Sequence, residues 1–294
     1  KVLGRKGLWV ILFPVVCYLF ITGKVARAAS KQFLVQVNNY NNVERKVTFK
    51  QQLMHFCSFA DSALDKIDGW LGRISKKDIQ YTNEQLFIDL NEQQQGAIFI
   101  GSHLGNLEVC RALSQHRSSK KINVLVFTHH AVEFNKMLKK INPAVSVNLI
   151  QVSDMGPDLA ILLKDKVEQG EIVVIVGDRT SATTGERSTR VEFLGKPASF
   201  SQGPFILAAL LDCPVYFLFC LKDKKTKKYH VIFEHYSQTL KIPRSQRQGL
   251  LTTVITDFSA RLGFYAARYP YQWFNFYDFW QNDQQVERSN AKEK

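Results

Sequence analysis

The feature that most constrains the fold is an alternation of short apolar runs with amphipathic segments. AIFIGSH (97–103), INVLVFTHH (122–130), SVNLIQV (146–152) and EIVVIVGDR (171–179) are typical of buried strands because each is short and rich in β-branched residues. The segments between them carry apolar residues at helical spacing. Strands that alternate with helices predict an α/β fold, here a single domain with a mixed β-sheet that helices flank on both faces.

The rest of the chain continues this alternation. An amphipathic helix is predicted over 50–73. Four more predicted helices are NLEVCRALSQHR (106–117), VEFNKMLKKI (132–141), PDLAILLKDKVEQG (157–170) and SQGPFILAALLDC (201–213), and two more strands are PVYFLFCLK (214–222) and YHVIFEHY (229–236). The basic run KDKKTKK (222–228) then forms the loop of a hairpin. That loop is either simply solvated or a docking patch for an acidic carrier protein or a membrane.

An apolar segment near the amino terminus predicts contact with a membrane. Residues 8–21 (LWVILFPVVCYLFI) contain no charge, and basic residues flank them on both sides. A helix that spans a bilayer needs about 20 apolar residues, and Pro14 would bend this shorter one. We therefore expect an interfacial or partly inserted helix beside anionic headgroups. The alternative is a buried hairpin of core helices.

The net charge of the chain limits the classes of partner that it can bind. The net charge is +13, which suits nucleic acid, an anionic membrane or an acidic protein. Nucleic acid is disfavoured because the chain lacks zinc-finger spacing and an RNP-type aromatic motif. The five cysteines include no CxxC pair, so neither a disulfide framework nor a zinc site is indicated. His129 and His130 lack further residues at ligand spacing, so no metal site is expected.

The segment HLGNLE holds the residues best suited to catalysis. It follows a predicted strand, and Asn106 is suited to cap the next helix. If His103 lies in the turn, Gly105 allows the chain to fold that side chain back toward Glu108. The Glu108 carboxylate would then fix one ring nitrogen of His103, and the other would act as a general base on a hydroxyl group. By itself, a histidine and a glutamate at this spacing is a weak signal.

Several further sequence motifs, which follow one another along the chain, strengthen the assignment of His103 and Glu108 to catalysis. The sequence resembles the lysophospholipid acyltransferase superfamily, within it the branch of the bacterial lipid A lauroyl and myristoyl transferases. His103 and Glu108 match the H-x-x-x-x-D/E motif of that superfamily, GDR lies at 177–179, and VEFLGKPASFSQGP (191–204) resembles the F-x-G-x-P-A segment of the branch. YPYQWFNFYDFW (269–280) resembles its closing P-x-Q-x-W segment. TSATTGERSTR (180–190) departs from the branch because it is polar, which leaves the acceptor open.

The resemblance implies an O-acyltransferase on the cytoplasmic face of the bacterial inner membrane. Residues 1–40 would be a membrane-associated helical segment and 41–294 the acyltransferase domain. The acyl donor would be a thioester of acyl carrier protein or coenzyme A, with no further cofactor, and the acceptor a hydroxyl of a lipid A-like glycolipid. An aminoacyl transfer to a lipid glycan by the same superfamily is the alternative, and a non-catalytic membrane adaptor is a weaker one.

A second group of residues is expected to bind substrate. Arg179 follows a strand and keeps its charge, so it suits a phosphate of the acceptor or a developing oxyanion, although an ion pair with Asp178 would also explain it. The loop before the helix that begins near Gly203 could hold an oxygen through its backbone amides. The expected substrate-binding residues are Asn106, Asp178, Arg179, Gly195 and Ser199.

Overall fold

The computed structural model describes residues 5–71, 73–92, 95–107, 120–126, 148–152, 156–179 and 187–280. Within them the helices are α1 (Arg5–Thr22), α2 (Lys24–Tyr40), α3 (Phe49–Trp70), α4 (Glu84–Glu92), α5 (Pro157–Glu168), α6 (Gly203–Leu211) and α7 (Arg247–Arg268). The strands are β1 (Ile79–Thr82), β2 (Ala97–Gly101), β3 (Ile122–Val126), β4 (Asn148–Gln151), β5 (Ile172–Val176), β6 (Ser188–Phe193), β7 (Lys196–Ser201), β8 (Val215–Lys222) and β9 (Tyr229–Ser237).

The main sheet contains seven of these strands in the order β1-β9-β8-β2-β5-β3-β4. Every neighbouring pair runs parallel except β8 and β9, which form an antiparallel hairpin. The predicted α/β class and mixed sheet are confirmed. Parallel neighbours put their carboxyl ends on one edge, where such sheets bind ligands.

Both faces of this sheet are buried, as a covered α/β sheet requires. Along β2, Ile98 and Ile100 pack into one apolar cluster with α2, α5, α6 and α7, whereas Ala97 and Phe99 point into a second cluster with β1 and α4. This alternation follows from the two-residue period of a strand. The larger cluster lies on the side that carries α7, a helix absent from the sequence-based prediction.

The N-terminal region forms two helices that meet at a sharp bend. The axes of α1 and α2 differ in direction by 89°. Within the described ranges, neither helix by itself has the length and apolar character to cross a membrane, whereas the bent pair together does by those two criteria. Val16 and Phe20 of α1 are buried, and the Phe20 ring packs edge-on against Phe49 and Phe56 of α3.

The opposite face of α1 is apolar and exposed. Its exposed large apolar residues are Leu8, Val10, Ile11, Phe13, Val15, Tyr18, Leu19 and Ile21. The helix is anchored to α3 by Arg5, which forms ion pairs with Asp61, Asp65 and Asp68. A continuous apolar patch of this kind is uncommon on the surface of a soluble monomer.

The segment 188–201 differs from the prediction. The sequence analysis treated Gly195 and Ser199 as part of a loop, but β6 and β7 form a separate antiparallel hairpin. Leu194 and Gly195 both have positive φ, 52° and 82°, which is the conformation of a two-residue hairpin turn. The sequence signal was the alternation in STRVEF of the polar Ser188, Arg190 and Glu192 with Thr189, Val191 and Phe193, and the second set is buried in the structure.

Candidate active site

The site lies where two neighbouring strands of the sheet end. β2 and β5 pair in parallel, and the Gly177 amide donates to the Gly101 carbonyl at 2.9 Å just beyond their last residues. His103 and Asp178 each follow one of these strands by two residues. The register of the sheet therefore brings together two side chains that are 75 residues apart in the sequence.

His103 is held by the Asp178 carboxylate. The Nδ1 atom of its ring lies 2.8 Å from Oδ1 of Asp178, and its backbone amide donates to Oδ2 at 2.8 Å. The indole Nε1–H of Trp273 also donates to Oδ2, at 3.1 Å. The Asp178 side chain is completely buried, whereas 30% of the His103 side chain remains exposed. Asp178 was expected to contact substrate, but all the contacts described for its oxygens are to His103 and Trp273.

The charge state of Asp178 follows from its surroundings. Burial by itself would raise the pKa of Asp178, but the adjacent His103 ring and the N–H donors lower it below its ordinary value. An ionised carboxylate accepts a hydrogen bond from Nδ1–H and so selects the tautomer with the proton on Nδ1. The Nε2 atom of His103 is then left with a lone pair, as a general base requires.

The HLGN turn is locked by backbone contacts. Gly105 has a φ of +78°, and a Cβ atom at this position would lie 1.9 Å from the carbonyl oxygen of Cys220. Its amide donates to Gln272 O at 2.7 Å, and the Asn106 amide donates to Cys220 O at 2.8 Å. The Phe274 amide donates to His103 O at 3.1 Å. Glycine is therefore required because the turn passes directly against β8 and the 272–274 segment.

A second histidine, which the sequence analysis did not identify, lies behind Trp273. His55 of α3 is fully buried, and its Nε2 lies 2.9 Å from the Trp273 carbonyl oxygen. Its Nδ1 lies 3.0 Å from Oγ of Ser30. Burial lowers the pKa of His55 to about 4, so the ring is neutral near pH 7. No sequence signal distinguished it, because a histidine on the apolar face of a helix is compatible with many roles.

The other predicted site residues are dispersed. Arg179 is exposed and donates to Phe274 O at 3.3 Å. Gly195 lies in the tip of the β6–β7 hairpin, and Ser199 lies in β7 opposite Arg190. This hairpin reaches the site through Phe193, whose ring centroid lies 4.9 Å from that of Trp273. In the described ranges, no contact joins Gly195 or Ser199 to His103.

Asn106 is buried beside α3. Its Nδ2 donates to Ser62 O at 3.0 Å. Gly105, Asn106 and Phe274 form part of the wall of a cleft of about 1000 Å³.

Several sequence predictions, among them the helix predicted at 132–141, fall on residues that the structure does not describe. Glu108, His129 and His130 lie outside the described residues, and so does most of the helix that Asn106 was expected to cap. The role given to Glu108, selection of the His103 tautomer, is filled at Nδ1 by Asp178. Glu108 itself stays a prediction.

A comparison with protein families matches most of the chain to one family. A family model described as bacterial lipid A biosynthesis acyltransferase matches residues 42–248, which is more than half of the chain. The matched region includes His103, Asp178 and the β6–β7 hairpin. A search of curated proteins found no match.

Proposed function

Because the chain belongs to the family of bacterial lipid A biosynthesis acyltransferases, we propose that it transfers an acyl group from a thioester to a lipid hydroxyl with His103 as the general base. The donor is a thioester of acyl carrier protein or coenzyme A, and the acceptor is a lipid A-like glycolipid. The observation that supports this proposal is the 2.8 Å contact between His103 Nδ1 and the buried Asp178 carboxylate.

The proposed reaction proceeds by direct attack. Nε2 of His103 removes the proton of the acceptor hydroxyl, whose oxygen forms a bond with the thioester carbonyl carbon. The carbon–sulfur bond then breaks, and the leaving sulfur takes the proton from the imidazolium. Asp178 stabilises this imidazolium and keeps the ring oriented, as the buried aspartate of a Ser-His-Asp triad does. We therefore assign Asp178 to orienting His103 rather than to binding substrate.

The remaining site residues support substrate binding in this proposal. The exposed Arg179 guanidinium is anchored to Phe274 O, close to the backbone of His103, and suits a phosphate of the acceptor or the developing oxyanion. Glu108, the second residue of the motif, is proposed to assist the same reaction. Gly195 and Ser199 would contribute through the hairpin that packs on Trp273.

Membrane association is part of the proposal. The exposed apolar face of α1 would lie in the interfacial region of a bilayer, and basic residues on both sides of it would contact anionic headgroups. This arrangement would bring a lipid acceptor to the enzyme on the cytoplasmic face of the inner membrane.

The experiment that tests the proposal is His103→Ala. Transfer of the acyl group should fall by about 10²–10⁴-fold, because the general base is lost. The unfolding temperature should also fall, because the buried Asp178 carboxylate loses one partner, so transfer is compared per folded molecule. Mass spectrometry of the lipid fraction from cells with wild type, the variant or no enzyme gives the readout. A lipid whose mass increases by an amino acid residue would favour the aminoacyl alternative. Full transfer by His103→Ala would exclude His103 as the general base.

A further inference from the structure

The cleft beside the active site has walls from five parts of the chain. Its lining includes Trp9 of α1, Ser62 of α3, the Gly105–Asn106 turn, and two groups of residues at its rim. One rim group comes from the β8–β9 loop and the other from residues 265–274, at the end of α7 and just after it. The cleft therefore extends from the turn after His103 toward the N-terminal helix.

Two buried polar atoms in this cleft lack partners among the described residues. Asn106 Oδ1 and Ser62 Oγ make no hydrogen bond with the described part of the chain, although both side chains are more than nine-tenths buried. They are neighbours, because Asn106 Nδ2 donates to Ser62 O. A buried acceptor without a partner costs free energy, so such atoms mark a place where a bound group donates a hydrogen bond.

The rim of the cleft carries positive charge that nearby acids do not neutralise. Asp61 and Asp65 are paired with Lys222 at 2.9 and 2.8 Å, and both also contact Arg5. Asp223 accepts hydrogen bonds from the backbone amides of its own turn. Four basic side chains on the lining remain without an ion pair among the described residues: Lys224, Lys225, Lys227 and Arg268.

Together these observations indicate the chemical groups that a ligand of the cleft should carry. We propose that the cleft binds a phosphate-bearing group of a substrate, with the phosphate at Lys224 and Lys225 and an amide or hydroxyl proton donated to Asn106 Oδ1 beside Ser62. The inference rests on the proposed function, which supplies two sources of this chemistry. One is the phosphopantetheine arm of the thioester donor, and the other is the phosphorylated, amide-bearing headgroup of a glycolipid acceptor.

A binding measurement tests the site without using catalysis. The full chain in detergent would be titrated with coenzyme A in one arm and with a phosphorylated glycolipid in micelles in the other. Lys224→Gln combined with Lys225→Gln should weaken binding of one probe at least tenfold at low salt, and the difference should shrink as salt rises. Lys164→Gln combined with Lys241→Gln, an equal change in charge at exposed positions outside the cleft, should leave binding unchanged.

Two further measurements distinguish the contribution of the buried Asn106–Ser62 pair from that of the basic residues at the rim. Ser62→Ala should weaken the same probe severalfold without lowering the unfolding temperature, because the hydroxyl has no partner to lose among the described residues. Pantetheine, which lacks the phosphate, should compete more weakly than coenzyme A if the donor is the ligand.

The outcomes have distinct meanings. Loss of coenzyme A binding assigns the cleft to the donor, and loss of glycolipid binding assigns it to the acceptor. Unchanged binding of both probes in the cleft variants, or an equal loss in the control pair, overturns the inference. His103→Ala should bind the probe normally, so failure of the proposed chemistry and failure of this site are read separately.

Discussion

Two histidines are linked to Trp273, one through a carboxylate and the other directly. His103 is connected to the Trp273 indole through the ionised Asp178 carboxylate, and part of its side chain reaches solvent. His55 contacts the backbone carbonyl of Trp273 and a serine hydroxyl, with no exposed surface. The two rings therefore differ in having a carboxylate partner and an exposed surface, and these are the two properties on which the proposed role of His103 as a general base depends.

The largest effect should come from Asp178→Asn. The oxygen of the new side-chain amide would accept the hydrogen bonds from the His103 backbone amide and from Nε1–H of Trp273, and its nitrogen would donate to Nδ1 of His103. The ring proton of His103 would then lie on Nε2, so the general base would be lost. Transfer should fall by about 10²–10⁴-fold while the fold is retained. Initial rates with saturating thioester give the measurement.

Asp158→Asn, at an exposed position on α5, is the matched control and should act as wild type. Comparison of Glu108→Gln with Asp178→Asn shows which of the two carboxylates His103 requires to act as a base. A loss confined to Glu108→Gln would contradict the pairing of His103 with Asp178.

His55→Ala should show the opposite pattern. The change leaves Ser30 Oγ and Trp273 O without partners and opens a cavity in the core, so the free energy of unfolding should fall by about 3 kcal/mol. The transfer rate per folded molecule should change less than tenfold. Chemical denaturation and initial rates measure the two quantities. A variant of unchanged stability that has lost activity would give His55 a part in catalysis.

The pH dependence of stability should also identify His55. Its pKa is about 4 in the folded chain against an ordinary 6.5, so between these values the unfolded chain binds a proton that the folded chain does not. The free energy of unfolding therefore falls as pH decreases from 6.5 to 4, by up to about 3 kcal/mol.

His55→Gln should flatten this dependence, as denaturation at pH 7 and pH 5 would show. The lowered pKa of Asp178 acts in the same direction, since stability from an ionised carboxylate is lost as pH falls, and it remains in the variant. An unchanged pH slope in His55→Gln would assign the whole effect to other groups.

The smallest effect is expected from Trp273→Phe. A phenyl ring would keep part of the aromatic packing around Phe33 and Phe193, and the hydrogen bond from Nε1 to Asp178 would be lost together with some buried ring volume. A loss of about 1 kcal/mol is expected, which corresponds to roughly a fivefold lower rate if it acts through the orientation of His103. A rate equal to that of wild type would show that His103 alone holds the carboxylate.

The sequence predicted those parts of the fold that depend on local pattern. The strands that end before His103 and Asp178 were identified because apolar runs and turn residues are local signals, and the β8–β9 hairpin was identified in the same way. The contact between His103 and Asp178 was missed because it depends on β2 lying next to β5, and strand order is set by packing across the whole sheet. The role of Trp273 was also hidden, since 95 residues separate it from Asp178.

The late position of Trp273 in the chain has a consequence for biosynthesis. A ribosome releases α1, with its apolar face, well before it releases the segment that closes over the HLGN turn. The nascent chain therefore exposes the apolar face of α1 while His103 still lacks the tryptophan that completes its surroundings. The environment of His103 is complete only when synthesis of the chain has passed Trp273.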